Sequence, residues 1–154
     1  MTNSALIFAG GTGSRMNTKT KPKQFLELHG KPIIIHTLEH FERHSDIDDI
    51  VVVCLEDWID YLKELLIKFK IKKVVKVVSG GATGQMSIFN GLKALMEQRH
   101  VSDGFVLIHD GVRPLINSDL ISKNLQSVQK FGTAITVKPV IETVIQVDKD
   151  GMID

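Results

Sequence analysis

The stretch "FAGGTGSRMNTKTKPKQF", Phe8 to Phe25, joins a glycine-rich bend to a lone arginine and then to a Pro-Lys-Gln segment. Glycines that follow an apolar run let the backbone come close to a ligand, and Arg15 and Lys23 supply the charge that a phosphate-bearing ligand needs. The familiar phosphate fingerprints do not fit. No Gly-Lys-Ser/Thr closes the bend as a Walker loop requires, and Met16 stands where the dinucleotide pattern begun by Gly11 and Gly13 needs its third glycine. Two more segments share this character. "SGGATGQMS" (79 to 87) sets Gly80 and Gly81 before a helical pattern, where free backbone N–H groups can meet a nucleotide, and "HDGVRP" (109 to 114) places a carboxylate, Asp110, at the end of an apolar run.

The elements that must position these loops read as alternating strands and helices. "ALIFA" (5 to 9), "IVVVC" (50 to 54), "VVKVV" (74 to 78), "FVLIH" (105 to 109) and "AITVK" (134 to 138) are strand candidates, several apolar on both faces. Pro32 suits a first helical turn before Ile34, Leu38 and Phe41, and Asp57 is placed to cap a helix carrying Trp58, Leu62, Leu65 and Phe69. Ser87 to Gln98 and Ser118 to Lys130 supply two more helices. This alternation predicts an α/β domain with a mostly parallel sheet covered on both faces. In such sheets ligands bind beyond the carboxyl ends of the strands, where the three loops fall.

Composition narrows the classes of partner. A chain of 154 residues with 43% hydrophobic and 24% charged residues is ordinary for one globular domain. A formal net charge of +1 supplies no whole-molecule field for nucleic acid, and "KFKIKKVVK" (68 to 76) reads as a helix end and strand edge. The single cysteine, Cys54, lies in an apolar run and reads as a buried thiol. No window is long and apolar enough for a membrane span, and the amino terminus lacks a basic region, so no membrane partner and a cytoplasmic location are expected. His36, His40 and His44 recur at a spacing that can share a metal, yet they read as a solvated face opposite Ile34, Leu38 and Phe41.

"AGGTGSRM", "KPKQF", "HGKPIIIHTLEHF", "SGGATGQMSIFNGL" and "HDGVRP", in this order, resemble the 2-C-methyl-D-erythritol 4-phosphate cytidylyltransferases and their ribitol-5-phosphate cytidylyltransferase relatives, from about Leu6 to Thr143. The resemblance implies a Rossmann-like three-layer sandwich of nucleotidyltransferase type over residues 1–140, with 141–154 starting a β-arm that builds a homodimer. It implies triphosphate contacts from Arg15 and Lys23 and a nucleotide cradle at Ala9, Gly10, Gly11 and Gly13. Gly80, Gly81 and Ser87 match positions at the cytosine and ribose, Asp110 the Mg²⁺-associated aspartate, and Thr143 an acceptor contact. The implied substrates are CTP and a small polyol phosphate, with methylerythritol phosphate placed first and ribitol 5-phosphate next.

The residues suit that chemistry in their own right. When an acceptor phosphate oxygen attacks the α-phosphorus of a nucleoside triphosphate and pyrophosphate leaves, the protein mainly positions anions and stabilises spreading negative charge. Arg15 offers a planar fork, Lys23 a point charge, and Asp110 a hard ligand for Mg²⁺. Arg113 reads either as a phosphate contact or as a partner of Asp110 or a backbone carbonyl, and His109 as strand-end packing. Gly84 stands where the family usually carries arginine, and "AGG" and "HDGVRP" lean toward the polyol-phosphate relatives. The last residues, "VDKDGMID", read as a hairpin turn at Asp150 and Gly151 where family members continue through the arm and a carboxyl-terminal portion. Nucleotide binding is therefore expected to outlast acceptor turnover and stable dimer formation in this chain. The alternatives are a sugar-phosphate nucleotidyltransferase and a catalytically silent nucleotide-binding module.

Overall fold

A computed structural model of the chain describes residues 2–11, 21–98, 104–139, 145–150 and 152. Four parallel strands form its main sheet: β1 (Thr2–Ala9), β4 (Asp49–Cys54), β5 (Val74–Ser79) and β6 (Gly104–Asp110), in the order β5-β4-β1-β6. The chain therefore winds from β1 through β4 to β5 on one side and then crosses to pair β6 with the other edge of β1. That reversal at β1 is the switch point at which open α/β sheets form a crevice. Register sharpens it. Ala9 lies beside Cys54 and Cys54 beside Ser79, while Phe8 lies beside Asp110, so the strand ends form one row.

Helices cover both faces. Ala5, Ile7 and Ala9 of β1 and Ile50, Val52 and Cys54 of β4 point into a core with α1 (Ile33–Arg43), α2 (Ile59–Lys68) and α4 (Ser118–Phe131). The alternate residues Leu6, Val51 and Val53 face Ala94 and Leu95 of α3 (Gly84–Gln98). The period of two along each strand and the buried stripes of the helices thus build the three layers. Cys54 is fully buried, and desolvation pushes its thiol up to about 11.

The mostly parallel α/β architecture agrees with the sequence, and several local expectations need correcting. The run 134–138 forms no strand: Thr136 is tied to Asn124 of α4 by side-chain hydrogen bonds, while Ile135 and Val137 stay about 80% exposed. An apolar β-branched run becomes a strand only where a neighbour offers a ladder, and here the tether is to a helix. Asp57 does not cap α2; it lies in a 3-10 turn (Glu56–Trp58), and the helix begins at Ile59 without a side-chain cap. Helix α3 starts one turn before Ser87, with Thr83 Oγ1 accepting from the Met86 N–H as its cap.

The histidines are not a solvated face. His44 is buried at the end of α1: its Nδ1 accepts from the Asp46 N–H at 3.2 Å, so Nε2 carries the proton toward Ser118 O and Ser122 Oγ. It ties α1 to α4. His36 Nε2 donates to Leu28 O in the short hairpin of β2 (Glu27–Leu28) and β3 (Lys31–Pro32), whose turn has His29 and Gly30 at positive φ. No group of three metal-ligating side chains occurs among the described residues. The basic run reads as expected, with Lys68 ending α2 and Lys76 on the edge strand β5. Among the described residues no helix is long and apolar enough to cross a membrane.

Candidate active site

A cavity of about 440 Å³ opens over the row of strand ends, within the range of small-molecule sites. The loops after β1, β4, β5 and β6 all reach it, and its walls include Gly10, Gly11, Lys23, Gly81, Ser87 and Asp110. Ala9 lines it as well, and Gly80 lies directly beneath the loop contact described next. Of the residues singled out in the sequence, Arg15, Gly13 and Thr143 lie outside the described residues. The domain limits at 140 and 141 fall there also.

Two glycine loops touch at the base of the cavity. A Cβ on Gly10 would come within 3.4 Å of Gly80 Cα and 3.2 Å of Ser87 Oγ, and one on Gly80 within 3.3 Å of Gly10 Cα. The Gly80 N–H is fixed on Cys54 O at 2.8 Å, so β4 carries the second loop. Ser87 Oγ then organises that loop: it accepts from the Gly81 N–H and donates to Thr83 O, both at 3.0 Å. Ser87 is buried, its proton is committed to Thr83 O and one lone pair to the Gly81 N–H, so what it can offer a ligand is its second lone pair. The N–H groups of Gly84 and Gln85 carry no hydrogen bond among the described residues, which leaves the positive end of a 15-residue helix facing the cavity.

Lys23 begins a 3-10 turn, Lys23–Phe25, fixed from below. Phe25 is fully buried, stacked on Trp58 at 4.9 Å and edge-on to Tyr61 at 5.3 Å, and Lys21 Nζ sits 5.4 Å from the Tyr61 ring centre. Gln24 is equally buried and sends its Nε2 back to Ala9 O at 2.6 Å and Gly11 O at 3.3 Å. Lys23 itself forms no ion pair among the described residues and lines the cavity, so its charge is available to an anion.

Across the cavity, Asp110 ends β6. Its Oδ1 accepts from the Val112 N–H at 3.1 Å and its Oδ2 meets Arg113 Nε at 3.3 Å. Arg113 thus pairs with Asp110, as an exposed and not a buried partner. The turn is anchored twice more: the Gly111 N–H donates to Phe8 O, and Thr37 of α1, fully buried, donates to Gly111 O at 2.9 Å. Sequence reasoning missed Thr37 and Gln24 as supports. A threonine among Ile34, Leu38 and Phe41 on the buried face of a helix was the available signal.

His109 points away from the cavity, with Nε2 donating to Arg113 O and its ring 5.4 Å from Phe41, as strand-end packing predicts. Burial, its largest influence, lowers its pKa, and Arg113 and His40 push the same way, while the Arg113 carbonyl and Asp110 oppose. The unfolded chain therefore binds more protons than the folded one below the ordinary value near 6.5. The contribution is complete above that value and is lost as pH falls through the lowered folded-state value. His109→Leu is expected to flatten the fall in denaturation midpoint below pH 6.5 relative to the parent chain; an identical slope would locate the proton uptake elsewhere.

Comparison with known proteins finds relatives of this chain in sequence and in fold. A family model described as IspD, 2-C-methyl-D-erythritol 4-phosphate cytidylyltransferase, matches residues 4–154. The chain is 57% identical over 151 residues to a ribitol-5-phosphate cytidylyltransferase of Vibrio parahaemolyticus, covering 98% of this chain and 63% of that relative. It is 44% identical over 132 residues to a 2-C-methyl-D-erythritol 4-phosphate cytidylyltransferase of Clostridium botulinum, covering 86% of this chain and 56% of that one. Among solved structures, the 4-diphosphocytidyl-2C-methyl-D-erythritol synthase of Anaerococcus prevotii is 31% identical with a TM-score of 0.76, covering 99% of this chain and 62% of that chain. The chain thus spans less than two thirds of the length of the relatives it matches.

Proposed function

We propose, since the chain belongs to the 2-C-methyl-D-erythritol 4-phosphate cytidylyltransferase family, that it binds CTP and takes part in transfer of CMP to a small polyol phosphate. The observation that carries this reading is the cavity over the strand ends, where two closely approaching glycine loops, a lysine without an ion pair among the described residues and the Asp110 carboxylate converge. Ribitol 5-phosphate moves ahead of methylerythritol phosphate as acceptor, because the relatives at 55–57% identity carry the ribitol name and those at 43–44% include the methylerythritol one.

In the reaction an acceptor phosphate oxygen forms a bond to the α-phosphorus of CTP, the bond from that phosphorus to the oxygen bridging it to the β-phosphorus breaks, and pyrophosphate leaves with that oxygen and the electron pair. The attacking oxygen is already anionic, so no general base is needed. The glycine backbone admits the triphosphate close to β1, the positive end of α3 and Lys23 Nζ stabilise its charge, and Arg15 would add a planar fork. Thr143 would contact the acceptor. Asp110 fits Mg²⁺: a hard cation bound with substrate phosphates needs only one or two protein carboxylates, and Asp110 is the acidic residue among the described residues that line the cavity. When bound, the ion would neutralise charge on the phosphate oxygens. Exposed Ile145, Val147 and Met152 suit an arm that pairs with a second copy, and a cytoplasmic location belongs to the same reading.

A pyrophosphate-release screen of four nucleoside triphosphates against ribitol 5-phosphate, methylerythritol phosphate and sugar 1-phosphates tests the proposal. CTP with a polyol phosphate is the expected pair; UTP with a sugar 1-phosphate would identify a sugar-phosphate nucleotidyltransferase instead. CTP with Mg²⁺ should also raise the thermal midpoint, with about 2.7 kcal/mol gained at about 100 times its dissociation constant. Tight CTP binding without release would identify a silent binding module.

Asp110→Asn keeps the acceptor for the Val112 N–H and removes the charge. It is expected to fold as the parent does and to weaken the dependence of CTP affinity on Mg²⁺ by about tenfold or more. An unchanged magnesium titration would remove Asp110 from the metal site.

A further inference from the structure

We infer that Gln24 is a positioning residue of the nucleotide loop, an inference that rests on the CTP-binding reading of this cavity. One side-chain amide holds the chain on both sides of Gly10, where β1 gives way to the bend: Gln24 Nε2 donates to Ala9 O at 2.6 Å and to Gly11 O at 3.3 Å, using the two hydrogens that an amide nitrogen owns. The reach is long in sequence, 15 and 13 residues, and the anchor does not move, because Gln24 lies between Lys23 and Phe25 in a turn whose Phe25 ring is locked between Trp58 and Tyr61. Peptide planes are rigid, so fixing the Ala9 carbonyl on Gln24 turns the Gly10 N–H away from it. Gln24 therefore sets two things together: the orientation of the Gly10 peptide and the distance between the bend and Lys23.

The far end of the same amide supports a role beyond packing. Gln24 is 1% exposed, and its Oε1 is buried without a hydrogen-bond partner among the described residues. A buried acceptor left unpaired costs stability, and an apolar side chain of the same length would fill the space without that cost. What only the amide provides is donation to the two loop carbonyls. Among the described residues a Cβ on Gly11 would meet nothing within 4 Å and one on Gly10 only the other glycine loop and Ser87, so side-chain packing does not fix these two glycines.

Gln24→Met keeps the length and removes the donor. Calorimetric titration with CTP and Mg²⁺ should show affinity lowered about tenfold or more, and amide exchange in the ligand-free protein should be faster at Gly10 and Gly11 while unchanged in β4. Wild-type affinity in this variant would overturn the inference. If the parent chain binds no CTP, the cytidylyl-transfer reading falls, and exchange at Gly10 and Gly11 alone judges the clamp: unchanged rates overturn it. Gln24→Glu decides the case should the methionine variant not fold. Its carboxyl donates a hydrogen bond only when protonated, so its CTP affinity relative to the parent should fall as pH rises, and a flat ratio would overturn the clamp.

Discussion

Lys23→Ala is expected to lower pyrophosphate release from CTP and polyol phosphate by about 10² to 10³-fold, the scale on which preorganised charge-stabilising donors act in transfer reactions. The ammonium lines the cavity and forms no ion pair among the described residues, so its full charge is free to face the triphosphate. Affinity for CTP should fall less than turnover, by about 10 to 100-fold, because a charge-assisted contact to the ground state is worth about 1.5–3 kcal/mol. Stability should hardly change. The turn that carries Lys23 is fixed by the Phe25 ring, by Gln24 and by the Phe25 N–H to Pro22 O bond, none of which involves the lysine side chain. Its loss is a surface change of about 0.5 kcal/mol or less, one to two degrees in a domain of this size. Unchanged turnover with an unchanged midpoint would place the triphosphate elsewhere; a large fall in midpoint would make Lys23 a structural residue.

The contrast between what the chain shows in sequence and what needs the fold runs along a physical line. β1 and β4 are apolar on both faces because helices cover both sides of the sheet there, and β5 and β6 at its edges are apolar with a partly exposed face; that pattern is local enough to read. The placement of Ala9–Gly11, Gly80–Gly81 and Asp110 at one edge follows from parallel connection alone. The supports of those loops do not. Thr37 to Gly111 spans 74 residues, Gln24 to Ala9 spans 15, and His44 to Ser122 spans 78. Side-chain bonds of that span, to backbone or to another side chain, leave no periodicity, and each residue looks in sequence like an ordinary polar position. The run 134–138 fails in the opposite direction: its residues favour a strand, but pairing is a property of the neighbour, and its neighbour is α4.

Gly81→Ala is expected to be the most damaging single-methyl change at the site, and Gly84→Ala, three residues on, the most benign. A Cβ on Gly81 would stand 2.4 Å from Met86 Cβ and 3.1 Å from the Met86 carbonyl carbon, so no side-chain rotation relieves it and the first turn of α3 must move. That movement breaks the Gly81 N–H to Ser87 Oγ bond and strains the Ser87 to Thr83 and Thr83 to Met86 bonds that cap the helix. Overpacking of this kind costs about 1–3 kcal/mol, and with about 2–4 degrees lost per kcal/mol in a domain of this size the midpoint should fall measurably. The functional loss should be larger than the structural one. Gly10, Gly80 and Ser87 lie so close that a Cβ on either glycine would crowd the other two, so a shift of the second loop is carried into the first and misplaces the cradle that in-line transfer depends on. A Cβ on Gly84 meets nothing within 4 Å and the residue is not in the left-handed region, so alanine there should stabilise α3 by about 0.4–1 kcal/mol through the unfolded chain. Thermal melts and CTP titrations on both variants read this directly. If Gly81→Ala binds CTP like the parent while its midpoint falls, the loop after β5 does not bear on the nucleotide; if Gly84→Ala loses CTP instead, the open space beside Gly84 is where the ligand lies.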